Sequence, residues 1–243
     1  MDQTNRTEGT KIQSVHYRGE APMWVDVAGG QLQIAVGSYQ AFNTVSTRGV
    51  RESLGVKTFK EFIAYAKKNP TSMGTYAPGS YPHMVADQTN RAEGTNIQVV
   101  HYRGESPMWV EVAGGRIQIA VGSYQAFNTV STRGVRPVGV TGGYRCPKLP
   151  DVPTLVEQGI ESRLVGLEGG LPLMAPSGTP EPVLQTLSRA AVEWAETPAA
   201  AKLRESFAIP NKPKNLAETR KDWERDVPVW IKLAVDLGIK LDS

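Results

Sequence analysis

The chain has little of the chemistry that disulfides, metal sites and membrane spans require. It contains one cysteine, Cys146, and three histidines, His16, His83 and His101. A lone cysteine excludes an internal disulfide, and the histidines lack the HxH or HExxH spacing of a zinc site. No apolar run approaches the roughly 18 to 20 residues of a membrane span, and the polar start lacks the apolar core of a signal peptide. We therefore expect no metal, no cofactor, no membrane-spanning helix and no export signal in this sequence.

The chain also has little excess of positive over negative charge. Lys and Arg number 27 against 24 Asp and Glu, a formal net charge of +3, and the basic residues form no stripe. Nucleic-acid binding therefore has little electrostatic support. The G-x-S-x-G motif and phosphate-binding glycine loops are missing, and we interpret Asp87, Glu93, Glu105 and Glu111 as solvated charges on helix faces or turns. Cys146 would be a nucleophile only beside a base, which no local motif supplies, so the sequence predicts no enzyme.

What the sequence does contain is a copy of part of itself. Residues 2–51 recur at residues 87–136, an offset of 85, with no gap and with 43 of 50 positions identical. A repeat array needs three or more units to bury a continuous core. Two copies separated by 35 other residues do not meet that requirement. The question is which copy belongs to the fold.

The second copy alternates strand and helix patterns. β-branched and aromatic residues predict a strand at 97–102, and an N-cap with a following proline predicts a helix over 106–113 that ends in glycines. A second strand follows at 117–121, and a short helix begins near Tyr124. This βαβα order is typical of a parallel sheet in an α/β protein.

Helix-start and turn signals continue on both sides of the second copy. They predict a helix opening at the Thr58/Glu61 capping box, a strand at 74–77, a helix over 82–94, a strand at 138–140, a short helix at 154–158, an extended segment at 171–176, and helices opening near 179, 197 and 215. Pro228 is expected to kink the last helix before Gly238 ends it. The pattern indicates a helical tail packed on a sheet.

The segment from Tyr76 to His83 is the most suggestive local arrangement. A strand end, a glycine turn and a helix start follow one another, and amide groups at a helix N-terminus accommodate a carboxylate. Ligands of parallel sheets lie off the carboxyl ends of strands, where Gly122 and Ser123 occupy an equivalent place. The spacing alone is also compatible with a simpler interpretation, in which Gly79 and Ser80 form only a turn and a helix cap. His83 would contact a ligand as a neutral hydrogen-bond donor, whereas we interpret His101 as a structural residue.

Several motifs in order resemble a known family. The motifs lie at 58–70, 76–83, 100–107, 149–154 and 174–180. They resemble the second lobe of tripartite tricarboxylate transporter substrate-binding proteins, the Bug-type (TctC) solute receptors, over residues 53 to about 240. The predicted ligand-binding residues are Tyr76, Ala77, Gly79, Ser80, Tyr81, His83, Gly122 and Ser123.

The resemblance implies a fold and a function. Such receptors have the two-lobed, type 2 periplasmic-binding-protein (Venus flytrap) fold of the α/β class, hold a small carboxylate or amino acid between the lobes, and deliver it to a membrane permease. It also implies a periplasmic location. Many members carry an aspartate where Gly122 stands, which bears on recognition of an amino group.

The departure from the family lies at the front of the chain, where the first copy stands in place of first-lobe sequence. We divide the chain into the duplicated segment at 1–51, the second lobe at 52–168 and the C-terminal helical part of the first lobe at 169–243. Ser14 replaces the strand residue Val99, and burying an unpaired hydroxyl costs about 1–3 kcal/mol. We therefore expect the first copy to be a loosely attached unit beside an intact second lobe.

Two hypotheses from different classes follow. The first is a solute receptor, impaired by the missing first-lobe segment. The alternative is a non-binding remnant or an assembly module that self-associates by strand exchange, because the first copy can compete with the second for one place in the sheet.

Overall fold

The computed structural model describes residues 35–36, 46–160, 162, 164, 173–176, 178–209, 213–236 and 238. The strands in this part of the chain are β1 (Ala35–Val36), β2 (Ser46–Arg51), β3 (Thr71–Thr75), β4 (Ile97–His101), β5 (Ile119–Ser123), β6 (Val135–Val140) and β7 (Leu173–Met174). The helices are α1 (Phe59–Ala66), α2 (Tyr81–Glu93), α3 (Glu105–Ala113), α4 (Tyr124–Asn128), α5 (Glu181–Ala195), α6 (Pro198–Ser206) and α7 (Leu216–Asp236). Within these ranges, no helix is both long and apolar enough to cross a bilayer.

A five-stranded sheet organises the fold, with strand order β4-β3-β5-β2-β6. β3 pairs in parallel with β4 and β5, as the βαβα pattern predicts. β2, however, runs antiparallel to both β5 and β6, so the sheet is mixed rather than parallel. β1 and β7 form a separate antiparallel pair.

The antiparallel strand β2 is the end of the first copy. Its sequence recurs at 131–136, where the first four residues form a turn after α4 and only the last two begin β6. One six-residue sequence therefore has two structures. Strand formation depends on the neighbours available for pairing more than on the residues themselves, and 46–51 lies between two strands that need a partner.

This result corrects the boundary predicted at residue 51. Residues 46–51 form an inner strand of the five-stranded sheet, so for them the expectation of loose attachment is wrong. The rest of the first copy's predicted elements fall mostly on residues 2–34 and 37–45, outside the described residues.

Apolar side chains cover both faces of the sheet, as alternation along the strands requires. Val50 of β2 joins a cluster with Phe59 and Phe62 of α1 and Met84 of α2. On the other face, Trp109 of α3 packs edge to face on Phe127 of α4, with ring centroids 5.5 Å apart, in a second cluster. The α/β class is confirmed, and the helices α1 to α4 enclose a sheet whose ends remain available for a site.

Local signals predicted most helices correctly. The Thr58 hydroxyl accepts a hydrogen bond from the Glu61 amide at 3.1 Å, as the capping box requires. Four predictions need correction: β3 begins three residues before the predicted 74, β6 begins three residues before the predicted 138, the strand predicted at 117–121 lies two residues later, and 154–158 forms hydrogen-bonded turns instead of a helix. Because β5 extends to Ser123, Gly122 and Ser123 lie within the strand end. The last helix, α7, contains Pro228 in its interior and continues to Asp236.

Candidate functional site

The candidate site lies at the carboxyl edge of the sheet. Gly74 of β3 is opposite Ala120 of β5 in a parallel pair, so the turn after Thr75 leaves the sheet beside Gly122, near the end of β5. On the other side of β3, Thr75 is opposite His101 at the end of β4. The structure thus brings the two predicted loops to one edge. That they bind a ligand stays a prediction.

A glycine turn leads into α2 and is closed by its own hydrogen bonds. Gly79 has the left-handed φ of 68° that favours glycine, and its amide donates to His83 Nδ1 at 3.0 Å. The Ser80 hydroxyl donates to the Ala77 carbonyl oxygen at 2.6 Å instead of capping the helix. Because Nδ1 of His83 accepts a hydrogen bond, a neutral His83 carries its proton on Nε2. His83 Nε2 is then the nitrogen left to donate to a ligand.

His101 lies beside His83, although sequence reasoning left it out of the site. The two rings meet edge to face with centroids 5.0 Å apart, and His101 Nδ1 lies 2.5 Å from the Thr75 hydroxyl. Burial, and secondarily the neighbouring His83, lowers the pKa of His101. The edge therefore carries two adjacent imidazoles, and for His101 the lowered pKa favours the neutral form. The sequence signal that could have identified His101 as a site residue was its position at the end of a predicted strand.

Glu105 is the second functional candidate that sequence reasoning missed. The Ser123 amide donates to Glu105 Oε2 at 3.0 Å, and the Ser123 hydroxyl donates to the same oxygen. Burial raises the pKa of Glu105, and the bonds from Ser123 oppose that shift. The interpretation of Glu105 as a solvated charge is wrong, because its hydrogen-bonding partner lies 18 residues away along the chain.

Gly122 makes room for this carboxyl group. A Cβ at Gly122 would lie 3.1 Å from Glu105 Cδ and 3.1 Å from Trp109 Nε1, tighter than most real contacts. The acidic group against this position comes from Glu105 on α3.

Two polar atoms below this edge lack partners among the described residues. The Trp109 indole N–H and the Thr47 hydroxyl are buried and make no hydrogen bond within that part of the chain. Thr47 is opposite Gly122 in the β2–β5 pairing, so the first copy contributes a side chain to this neighbourhood. Buried donors of this kind are ordinarily satisfied, which makes them candidates to hold a water or ligand atom.

Tyr81 does not belong to the site. Its side chain is 1% exposed, packs edge to face on Trp230 at 6.3 Å, and donates its hydroxyl proton to the Leu164 carbonyl oxygen at 3.2 Å. The first residue of α2 faces the core because the helix lies flat on the sheet. Tyr76 and Ala77 are half-buried and remain candidates.

Cys146 has the surroundings of a structural residue. The thiol is buried beside Val140 and Ala208, and burial raises its pKa. In the same part of the chain, no group of three His, Cys, Asp or Glu side chains could hold a metal ion.

A family model supplies the deciding comparison. The model described as "Tripartite tricarboxylate transporter family receptor" matches residues 41–221. The chain belongs to this family. The match takes in β2, so the end of the first copy is part of the receptor sequence pattern as well as of the sheet.

A curated relative and solved structures are consistent with membership of this receptor family. The UPF0065 protein in the TAR-I ttuE-ttuC' intergenic region of Agrobacterium vitis is 35% identical over 145 residues, which is 58% of this chain and 41% of that protein. The chain thus spans about two fifths of that relative's length.

Two solved structures bear on the fold. An R. palustris protein with adipate has a TM-score of 0.70 at 25% identity, covering 85% of this chain and 68% of that one. MatC from Rhodopseudomonas palustris with bound malate has a TM-score of 0.67 at 18% identity, covering 78% and 66% respectively. They confirm the periplasmic-binding-protein-like fold.

Proposed function

We propose that this chain is the solute-binding receptor of a tripartite tricarboxylate-type transporter and binds a small carboxylate at the carboxyl edge of the sheet. The observation that carries the proposal is the pair His83 and His101, 5.0 Å apart, beside the glycine turn that opens α2. Family membership and structural neighbours with adipate and malate support the ligand class.

The chemistry of the edge suits a carboxylate. The N-terminus of α2 carries partial positive charge, and His83 Nε2 can donate a hydrogen bond without the cost of a buried imidazolium. Glu105, at the start of α3, lies against the neighbouring strand end, and its raised pKa lets it share a proton with an acidic ligand. An ionised Glu105 would instead favour an amino group, so an amino acid is the second ligand class.

Location and partner follow from the same proposal. Receptors of this family work in the periplasm and pass their ligand to membrane permease subunits, and we assign both to this chain as proposals. Tyr76, Ala77, Gly79, Ser80, His83, Gly122 and Ser123 remain the proposed ligand-binding set, to which His101 and Glu105 are added.

Isothermal titration against adipate, malate, citrate and glutamate tests the proposal. We expect one of these probes to bind, and His83→Ala to weaken binding roughly 10- to 100-fold, as the loss of a hydrogen bond to a charged group predicts. His101→Ala should also weaken binding, whereas Arg133→Met, on an exposed turn before β6, should leave it unchanged. A folded protein that binds none of the four probes would refute the receptor function.

Self-association is the second candidate, and one observation favours it. β2 lies in the sheet between β5 and β6, while residues 34–38 repeat the sequence of β5 itself. A strand from another chain could therefore compete for the place of β5. Light scattering that finds a strict monomer over a wide range of concentration would contradict this candidate, and a concentration-dependent dimer would support it.

A further inference from the structure

We infer that Arg48, on the strand contributed by the first copy, holds a small inorganic anion such as chloride inside the second lobe. Arg48 lies on β2 and is 1% exposed. Its guanidinium stands over the Phe59 ring, 5.1 Å from the centroid, and 6.0 Å from the centroid of Tyr81. A permanent positive charge is thus enclosed in the core that α1 and α2 cover.

The hydrogen bonds of this guanidinium are incomplete among the described residues. Nη2 donates to the Tyr81 hydroxyl at 3.4 Å, a long contact, while Nε and Nη1 have no partner in that part of the chain. No salt bridge to Arg48 is formed there either. Enclosing an unpaired ion costs several kcal/mol, far more than two aromatic rings return.

A cavity adjoins Arg48. Arg48 lines a space of about 40 Å³. A water needs roughly 10–15 Å³ on the same measure, so a halide ion or a few waters fit. Apolar side chains form much of the wall, including Phe59, Ile63 and Leu155.

Among the polar groups of the wall, the Gln88 amide is the donor left for an anion, because the two hydroxyls donate elsewhere. The Thr89 hydroxyl donates to the Val85 carbonyl oxygen at 2.7 Å, and the Ser162 hydroxyl donates to Gln88 Oε1 at 2.7 Å. With its oxygen occupied, Gln88 has its amide N–H groups left to offer. Glu93 also lines the space, but its carboxylate is paired with Lys67 at 3.1 Å.

Charge balance distinguishes an anion from water. Water would accept hydrogen bonds from the N–H groups but would leave the positive charge of Arg48 uncompensated. A halide accepts the same hydrogen bonds and also compensates the charge, because these hydrogen bonds are charge-assisted. The second copy explains why the charge is there. Arg133, the equivalent residue, is exposed on a turn, so the same arginine became enclosed only where its segment forms a central strand.

Thermal unfolding in sodium chloride and in sodium gluconate of equal ionic strength tests the inference, because gluconate is too large for the cavity. For the wild type, each tenfold rise in chloride above its dissociation constant should raise the Tm by roughly 3 to 6 °C over the gluconate value. Arg48→Met should lose this chloride-specific rise, and Arg133→Met, the matched control, should keep it.

Equal Tm values in the two salts for the wild type would overturn the inference, as would a chloride-specific rise that persists in Arg48→Met. If Arg48→Met does not fold, chloride-35 line broadening by the wild-type protein, relieved by added bromide, serves in its place. No broadening beyond that of a control protein would then refute the site.

Discussion

The two copies of one glycine offer the sharpest test of the position of β2. Gly49 and Gly134 occupy the same place in the repeated segment. Gly49 lies in the sheet, where an added Cβ would be 2.6 Å from Trp109 Cζ3 and 3.2 Å from Phe127 Cδ2. Gly134 has a φ of 72° on a turn, and an added Cβ would meet no atom within 4 Å. We predict that Gly→Asn has very different effects at the two sites.

The magnitude follows from what the new side chain meets. Trp109 and Phe127 are buried, rigid and packed on each other, so neither ring can yield cheaply. Overpacking costs about 1–3 kcal/mol, and an enclosed amide without partners adds about 1–3 kcal/mol, so Gly49→Asn should cost about 2–6 kcal/mol. Asparagine tolerates the left-handed region, so Gly134→Asn should cost at most about 1 kcal/mol.

Urea unfolding followed by tryptophan fluorescence measures both free energies of unfolding. If Gly49→Asn does not fold, Gly49→Ala should still show the overpacking cost alone, about 1–3 kcal/mol. Equal effects of the Asn substitutions at the two positions would refute the reasoning, because they would mean that the end of the first copy does not pack against Trp109.

Two further predictions concern buried ionisable groups. Burial raises the pKa of Glu105 above its ordinary 4.5, so its stabilising contribution is full below that pH and declines as the pH rises through the native-state value. In urea unfolding, the wild type should therefore lose stability relative to Glu105→Gln between pH 4.5 and neutrality; a constant difference would contradict this. Burial also raises the pKa of the Cys146 thiol, so native protein should react with a disulfide reagent at least about tenfold more slowly than unfolded protein, and equal rates would show an accessible thiol.

Helix starts could be predicted because their determinants are local. Asn215 accepts from the Glu218 amide at 3.0 Å, and Glu218 accepts from the Asn215 amide at 2.9 Å, within four consecutive residues. The glycine turn at Gly79 is equally local, since its partner His83 is four residues away. This half of the candidate site, whose ligand binding stays a prediction, is therefore accessible to sequence reasoning.

The other half depended on distant partners. Glu105 and Ser123 are both ordinary polar residues in sequence, and only the β5–α3 packing joins them. His101 became a candidate because β4 pairs with β3, which sets it beside Thr75. Tyr81 was misassigned for the same reason, since its position in the motif does not reveal which face of α2 lies on the sheet.

The repeat shows this division most clearly. By itself, the sequence determined the duplication, the α/β alternation and the resemblance to the receptor family, because each is a property of residue order. Only the tertiary structure decided that residues 46–51 form a strand while identical residues at 131–136 form a turn and a strand start. The physical reason is that backbone hydrogen bonds in a sheet are made between distant segments, so the fate of a strand depends on its neighbours.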